Sequence, residues 1–416
     1  MKIAQIAPVW EAVPPHTYGG TELVIQLLVE ELTRMGHSVV LFASADSQVE
    51  CQNSLLELVP TVDRPLRSQG ISFYNGIYHE LEALEIILKR VSWGDIDVVH
   101  NHMGFQALPF ASQMPAPMVT TLHGAFGSNA PMDEMLDRYR HLPYVSISDY
   151  QRRPGPALNY AATIYHGLNL TRYQPAFEPS NKDYLAFLGR FSPEKGPHHA
   201  IRLARETGWP LLMAGKVDTY DQAYFEQVIA PELDGRQIVY IGEVNLPQKV
   251  KLLSNAAATI CPVTWPEPFG LVITESMACG TPVLALKNGS IPELVVHGKT
   301  GFIADTLEAL IDTVPQIPEL SRQGCRLHVE THFSARRMAE AHVAVYQQLI
   351  AERSATTGLL PVRPKARLSG HPAENLPAAV AAGATLLGTG SVSSPPALQN
   401  GATRQTTRNQ APERCC

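Results

Sequence analysis

Three consecutive pieces near the N-terminus constrain the fold most. KIAQIAP (2–8) is a short apolar run, TELVIQLLVEELTRMG (21–36) carries apolar residues at helical spacing up to a glycine, and HSVVLFAS (37–44) is again apolar. Strand, helix and strand in that order, with strands too apolar to face water, imply a parallel sheet covered by helices. The pattern predicts a further helix over 78–91 and strands over 96–102, 116–126 and 142–148. At 172–183, RYQPAFEPSNKD breaks the periodicity, and an inter-domain linker is expected there. A second series then predicts strands over 184–191, 210–215, 237–244, 258–263, 281–286 and 301–304, with helices near 197–208 and 223–233. A long amphipathic helix is expected at 334–353. The fold class is α/β, with two domains that face each other across a cleft, because open α/β sheets bind ligands at the carboxyl ends of their strands.

After Arg353 the composition changes. Residues 354–416 hold no aromatic side chain and are rich in Ala, Gly, Pro, Ser and Thr, so a disordered tail is expected. The net charge of −6 argues against nucleic acid as a partner. No apolar run approaches the length of a membrane span, and the opening residues read as a first strand rather than a secretory leader. The six cysteines form no C-x-x-C pair and no zinc spacing, which fits a reducing cytoplasm. The inner face of the membrane is the alternative location. The terminal Cys415–Cys416 pair lacks the C-a-a-X pattern of a prenylation signal. The basic pairs Lys89–Arg90 and Arg152–Arg153 read first as solvated charges and second as peripheral contacts to anionic lipid.

Several strand ends carry polar residues. His123 follows an apolar strand and precedes a glycine, so it is either a strand-capping histidine or a site residue. Gly19 and Gly20 precede a helix, where free amides suit an anion and a tight turn is the plainer reading. LGRFSPEKG (188–196) places Arg190 and Lys195 in one loop, either as a solvated pair or as a diphosphate clamp. PEPFGLVITESMACGTPV (266–283) surrounds an apolar segment with Glu267 and Glu275. A helix is expected there, with Gly280 as its stop, Glu267 just before it and Glu275 about two turns inside. The amides of Phe269, Gly270 and Leu271 would lie at its start, unpaired within the helix. Amides for a phosphate and carboxylates for hydroxyls describe a site for a nucleotide sugar.

That segment resembles the Glu-x7-Glu motif of retaining GT-B glycosyltransferases, specifically glycosyltransferase family 4 (glycosyl transferases group 1). The Gly19–Gly20 loop, His123, the GRFSPEKG loop and NGSIPELVVHGKTGF (288–302) follow in the family's order, and the resemblance covers roughly residues 1–350. Ser290 departs from it, standing where many members have a second glycine.

The resemblance implies two Rossmann-like domains, 1–175 on the acceptor side and 182–333 on the donor side, with 334–353 crossing back to the first. It implies that Glu275 binds the ribose hydroxyls and that Glu267 contacts the transferred sugar near the reacting carbon. Arg190 and Lys195 would neutralise the diphosphate, assisted by the amides of Phe269, Gly270 and Leu271. His123 would lie near the sugar, and Gly19 and Gly20 would admit the first loop to the donor or acceptor.

No cofactor beyond the donor substrate is expected. With no Asp-x-Asp in the cleft segments, no metal is expected either. The expected partners are a nucleotide sugar, UDP-glucose before GDP-mannose, and an acceptor hydroxyl on a glycan, lipid or small molecule. Loops 9–20, 64–76 and 125–135 are expected to line the acceptor side. A non-catalytic nucleotide-sugar binder, a nucleotide-sugar epimerase and a phosphorylase on a similar scaffold are the competing readings.

Overall fold

The computed structural model describes residues 1–16, 19–51, 54–126, 130–178 and 183–357. The expected tail falls outside them from 358 onward, as do residues 179–182 of the expected linker and parts of the loops 9–20 and 125–135.

The first sheet has seven strands: β1 (Lys2–Ile6), β2 (Ser38–Ser44), β3 (Leu56–Val62), β4 (Val98–Asn101), β5 (Met118–Thr121), β6 (Pro143–Ser146) and β7 (Asn159–Thr163). They run in the order β3-β2-β1-β4-β5-β6-β7, and every pair is parallel. The second sheet has six: β8 (Leu185–Leu188), β9 (Leu211–Ala214), β10 (Ile238–Tyr240), β11 (Ala258–Cys261), β12 (Val283–Leu286) and β13 (Gly301–Ala304). Its order, β10-β9-β8-β11-β12-β13, repeats the plan of the first and is also parallel. Both are doubly wound Rossmann-like sheets. Strand order reverses beside β1 and β4 in one and beside β8 and β11 in the other, which is where such sheets bind ligands.

Helices α1 (Gly20–Arg34), α2 (Phe73–Val91) and α3 (Ala130–Arg138) belong to the first half. Helices α4 (Pro197–Thr207), α5 (Gln222–Tyr224), α6 (Leu246–Asn255), α7 (Leu271–Ala278), α8 (Ile291–Leu294), α9 (Leu307–Ile311) and α10 (Arg322–His332) belong to the second. Helix α11 (Ala335–Thr357) returns to the first sheet. Its Met338, Ala339, Val343, Tyr346 and Leu349 join the core formed by α1 and one face of that sheet. It runs four residues beyond the expected end at 353.

Four elements differ from expectation for physical reasons. Helix α2 starts at Phe73 rather than 78, because the Ser72 side chain accepts from the Asn75 amide and caps it. The single helix expected at 223–233 is instead α5, a π turn (Phe225–Ile229) and a 3-10 turn (Ala230–Glu232), the last containing Pro231. Strands β3 and β7 were not expected. They are the two edges of the first sheet, and β3 carries Pro60 in its interior.

The chain passes between the halves twice, and the two passages touch. Leu168 donates its amide to Phe333 O at 2.8 Å and its carbonyl accepts from the Ala335 amide at 2.9 Å. Glu293 at the start of α8 ties the halves again, accepting from the Asp149 and Tyr150 amides and from the Tyr165 hydroxyl.

Candidate active site

In the second sheet, β8 ends and delivers Arg190. The guanidinium bonds Glu194 and lies 3.8 Å from Asp221. The turn Pro193–Lys195 then closes on Gly196, whose φ is +71°. A Cβ at this glycine would stand 2.2 Å from Pro262 O, so only glycine lets the loop lie against the exit of β11. That contact brings Lys195 to Glu267, with Nζ 2.5 Å from Oε2. The Trp265 indole N–H donates to the same oxygen at 2.8 Å, and Lys195 lies over the Trp265 ring.

Gly270, with φ +99°, precedes α7, so Glu275 sits just over one turn into the helix, not two. It is buried. Its Oε1 accepts from Lys249 Nζ at 2.5 Å and from the Tyr173 hydroxyl at 2.7 Å. Both carboxylates flanking the helix start are therefore withdrawn from water and paired with a lysine, as buried charges must be.

Ser290 fits without strain. Its φ is −81°, its amide donates to Glu267 O at 2.9 Å, and its hydroxyl donates to Phe269 O at 2.7 Å. The serine thus supports the backbone that carries Glu267 and Phe269.

In the first sheet, Gly19 and Gly20 open α1. A Cβ on Gly19 would stand 2.6 Å from Pro15 Cβ, whereas one on Gly20 would meet Leu271 Cδ1 of the other half at 3.6 Å. Glu22, in the first turn of α1, is buried against this loop, and burial pushes its carboxyl up to about 7. His123 follows β5. Its Nε2 lies 2.9 Å from His102 Nδ1, and its ring stacks on His166 with centroids 5.2 Å apart. His166 in turn meets the Phe269 ring edge-on at 4.8 Å. His123 and the start of α7 are thus joined across the halves through one imidazole.

Among the segments expected on the acceptor side, Trp10 stacks on Phe73, and Arg67 bonds Glu11 and reaches Asp218 of the second half. Arg90 and Arg152, from the two basic pairs, are engaged internally: Arg90 with Glu57 and Asp95, Arg152 with Ser146 and the Tyr160 ring. Asp95 and Asp97 form an Asp-x-Asp, but they sit by Lys2, at the opposite end of the strands from the site.

Sequence reasoning did not single out His102, His166, Glu22, Tyr173, Lys249, Trp265 or Glu194. A signal existed for His102: in IDVVHNH it stands two residues from His100, and residues two apart share a face at the end of a strand. For Tyr173 and Lys249 there was none, because their partner Glu275 lies 102 and 26 residues away.

Two doubly wound halves meeting at their strand ends are the GT-B architecture. Residues 18–187 match the family model Glycosyltransferase Family 4, and residues 172–323 match Glycosyl transferases group 1. The two spans overlap and together run from 18 to 323, and the chain is a glycosyltransferase of the GT-B type. It is 25% identical to a glycogen synthase of Mycobacterium tuberculosis, over 83% of this chain and 94% of that one. Sucrose-phosphate synthase from Thermosynechococcus elongatus shares the fold with a TM-score of 0.72 at 18% identity, covering 84% and 99% of the two chains. Anabaena HepE in complex with UDP-glucose does so with a TM-score of 0.60 at 20% identity, covering 86% and 100%. No helix among the described residues is long and apolar enough to cross a membrane.

Proposed function

We propose that the chain moves a hexose from a nucleoside-diphosphate sugar to an acceptor hydroxyl with retention at the anomeric carbon and without a metal. UDP-glucose is the first candidate donor and GDP-mannose the second. The observation that carries the proposal is the start of α7, flanked by two buried, lysine-paired carboxylates at the point where strand order reverses. Glu275 binds the ribose hydroxyls. Glu267 binds hydroxyls of the transferred sugar, and its hydrogen bonds to Lys195 and Trp265 fix its orientation.

As the bond between the anomeric carbon and the diphosphate oxygen breaks, negative charge builds on that oxygen. Lys195, Arg190 and the amides of Phe269, Gly270 and Leu271 are the preorganised donors for it. The diphosphate competes with Glu267 for Lys195 and with Glu194 and Asp221 for Arg190. The acceptor oxygen bonds the same face of the anomeric carbon, and its proton passes to the departing phosphate oxygen. Support for a metal-free reaction comes from Arg190 and Lys195, two cations carried by one loop. The HepE complex supports the choice of UDP-glucose.

Thermal protection by a panel of nucleotide sugars tests the donor. UDP-glucose should raise the unfolding midpoint most, and a panel in which none protects would refute the proposal.

A further inference from the structure

Strands β1 and β4 pair with Gln5 opposite His100, and His102 follows two residues on, facing the same side. Helix α11 lays Tyr346 over them. The Tyr346 hydroxyl lies 2.6 Å from His100 Nδ1 and 3.2 Å from Gln5 Nε2. An O–H donor makes the shorter bond and an N–H donor the longer. The phenol therefore donates to His100 and accepts from the Gln5 amide. This turns the Gln5 carbonyl toward His102 Nε2, 2.9 Å away.

A carbonyl only accepts, so His102 Nε2 carries a hydrogen. Burial keeps this ring neutral, so its Nδ1 is a lone pair. That lone pair accepts from His123 Nε2–H at 2.9 Å. Burial holds His123 neutral too, far below its usual titration range, at about 3. Its Nδ1 then bears no hydrogen. This atom is buried and has no hydrogen-bond partner among the described residues. A buried acceptor left without a donor is costly, and a sugar hydroxyl would supply one.

We propose that Gln5 and His102 are positioning residues that hold His123 as its Nε2–H tautomer, so that Nδ1 accepts a hydroxyl of the transferred sugar. The proposal rests on the sugar-transfer reading for its ligand, but not for the tautomer. Tyr346 anchors the relay, which gives the returning helix a part in the first half of the site.

The tautomer is read in the full-length protein from 15N resonances of histidine-labelled chain, with His123 assigned by difference against His123→Asn. The expected result is a pyrrole-type Nε2 and a pyridine-type Nδ1; the reverse pattern would overturn the proposal whatever the enzyme's activity. Kinetics supply the second arm. His102→Ala should lower kcat about tenfold to a hundredfold, as expected for loss of one orienting hydrogen bond, with nucleoside-diphosphate affinity unchanged. His102→Asn, whose side-chain oxygen replaces the Nδ1 acceptor, should recover most of that loss. Equal losses in both variants, with the tautomer unchanged, would reduce His102 to a packing role. If no nucleotide sugar binds while His123 shows the expected tautomer, the relay stands and the donor reading falls.

Discussion

At the strand ends of the second sheet the side chains around the start of α7 are charged and paired: Lys195 with Glu267, Lys249 with Glu275, Arg190 with Glu194. At the strand ends of the first sheet they are neutral and chained: Gln5, His100, His102 and His123, closed off by Tyr346. Five imidazoles, those of His100, His102, His123, His166 and His342, are all pushed down by burial. Ion pairs can be exchanged for a charged diphosphate. A neutral chain with a spare lone pair suits a hydroxyl and repels no charge. Under the proposed function, the two halves would divide the ligand by polarity.

Acid should break the first half before the second, and this is the largest effect expected. Each of these histidines titrates lower when folded than its ordinary 6.5. The unfolded state therefore binds more protons below pH 6.5. Their contribution to stability is intact above that value and lost as pH falls. If all five charge only on unfolding, the slope is roughly 7 kcal/mol per pH unit. Glu22 acts in the opposite sense. Raised from 4.5 to about 7, its contribution is present below 4.5 and lost as pH rises through 7. One such shift is worth roughly 3 kcal/mol in total, so the histidines dominate on the acid side. Urea unfolding between pH 7.5 and 5 should show a steep fall in midpoint. A flat profile would mean that the imidazoles are not buried as neutral groups. Glu22→Gln should spare the acid limb while removing the loss toward neutral pH.

The charged half is tested next. Neutralising Lys195 or Arg190 should lower kcat by about 10²–10³, and activity should survive EDTA. Turnover abolished by the chelator and restored by Mg²⁺ would count against the metal-free mechanism. Glu275→Ala should weaken nucleoside-diphosphate binding by roughly 1.5–3 kcal/mol, the worth of a charged hydrogen bond. Unchanged affinity would detach Glu275 from the ribose.

The smallest effect belongs to Ser290→Gly. It deletes the bond to Phe269 O and should cost about 1 kcal/mol of stability with kcat nearly intact. A large loss of rate would make the serine part of the chemistry.

Much of this arrangement was legible in the chain. Period and composition placed the buried parallel strands, and the spacing of Glu267 and Glu275 pointed to a helix start, which the structure places between them at Leu271. The helix boundary was misplaced by the glycine before it: Gly270 is a left-handed residue outside α7, so Glu275 lies nearer the helix start than the expected two turns. The edge strands escaped because Pro60 and the polar β7 lack the apolar run of a central strand. His102 and His166 escaped because a lone histidine at a strand end or in a loop reads the same whether it caps a carbonyl or builds a relay. Only the register of β1 against β4 and the return of α11 decide between them.

That return also sets a schedule. The core under the first sheet contains Ala335, Met338, Ala339, Val343, Tyr346 and Leu349 alongside residues of β1 and α1. A ribosome adding about 5–20 residues per second reaches α11 roughly 15–60 s after finishing α1. Throughout that interval the first half lacks one of its covering helices, with Gln5 and His100 waiting for the Tyr346 hydroxyl. The half synthesised first is the half completed last. A nascent chain stalled before residue 335 would present an apolar sheet face that the finished protein never shows.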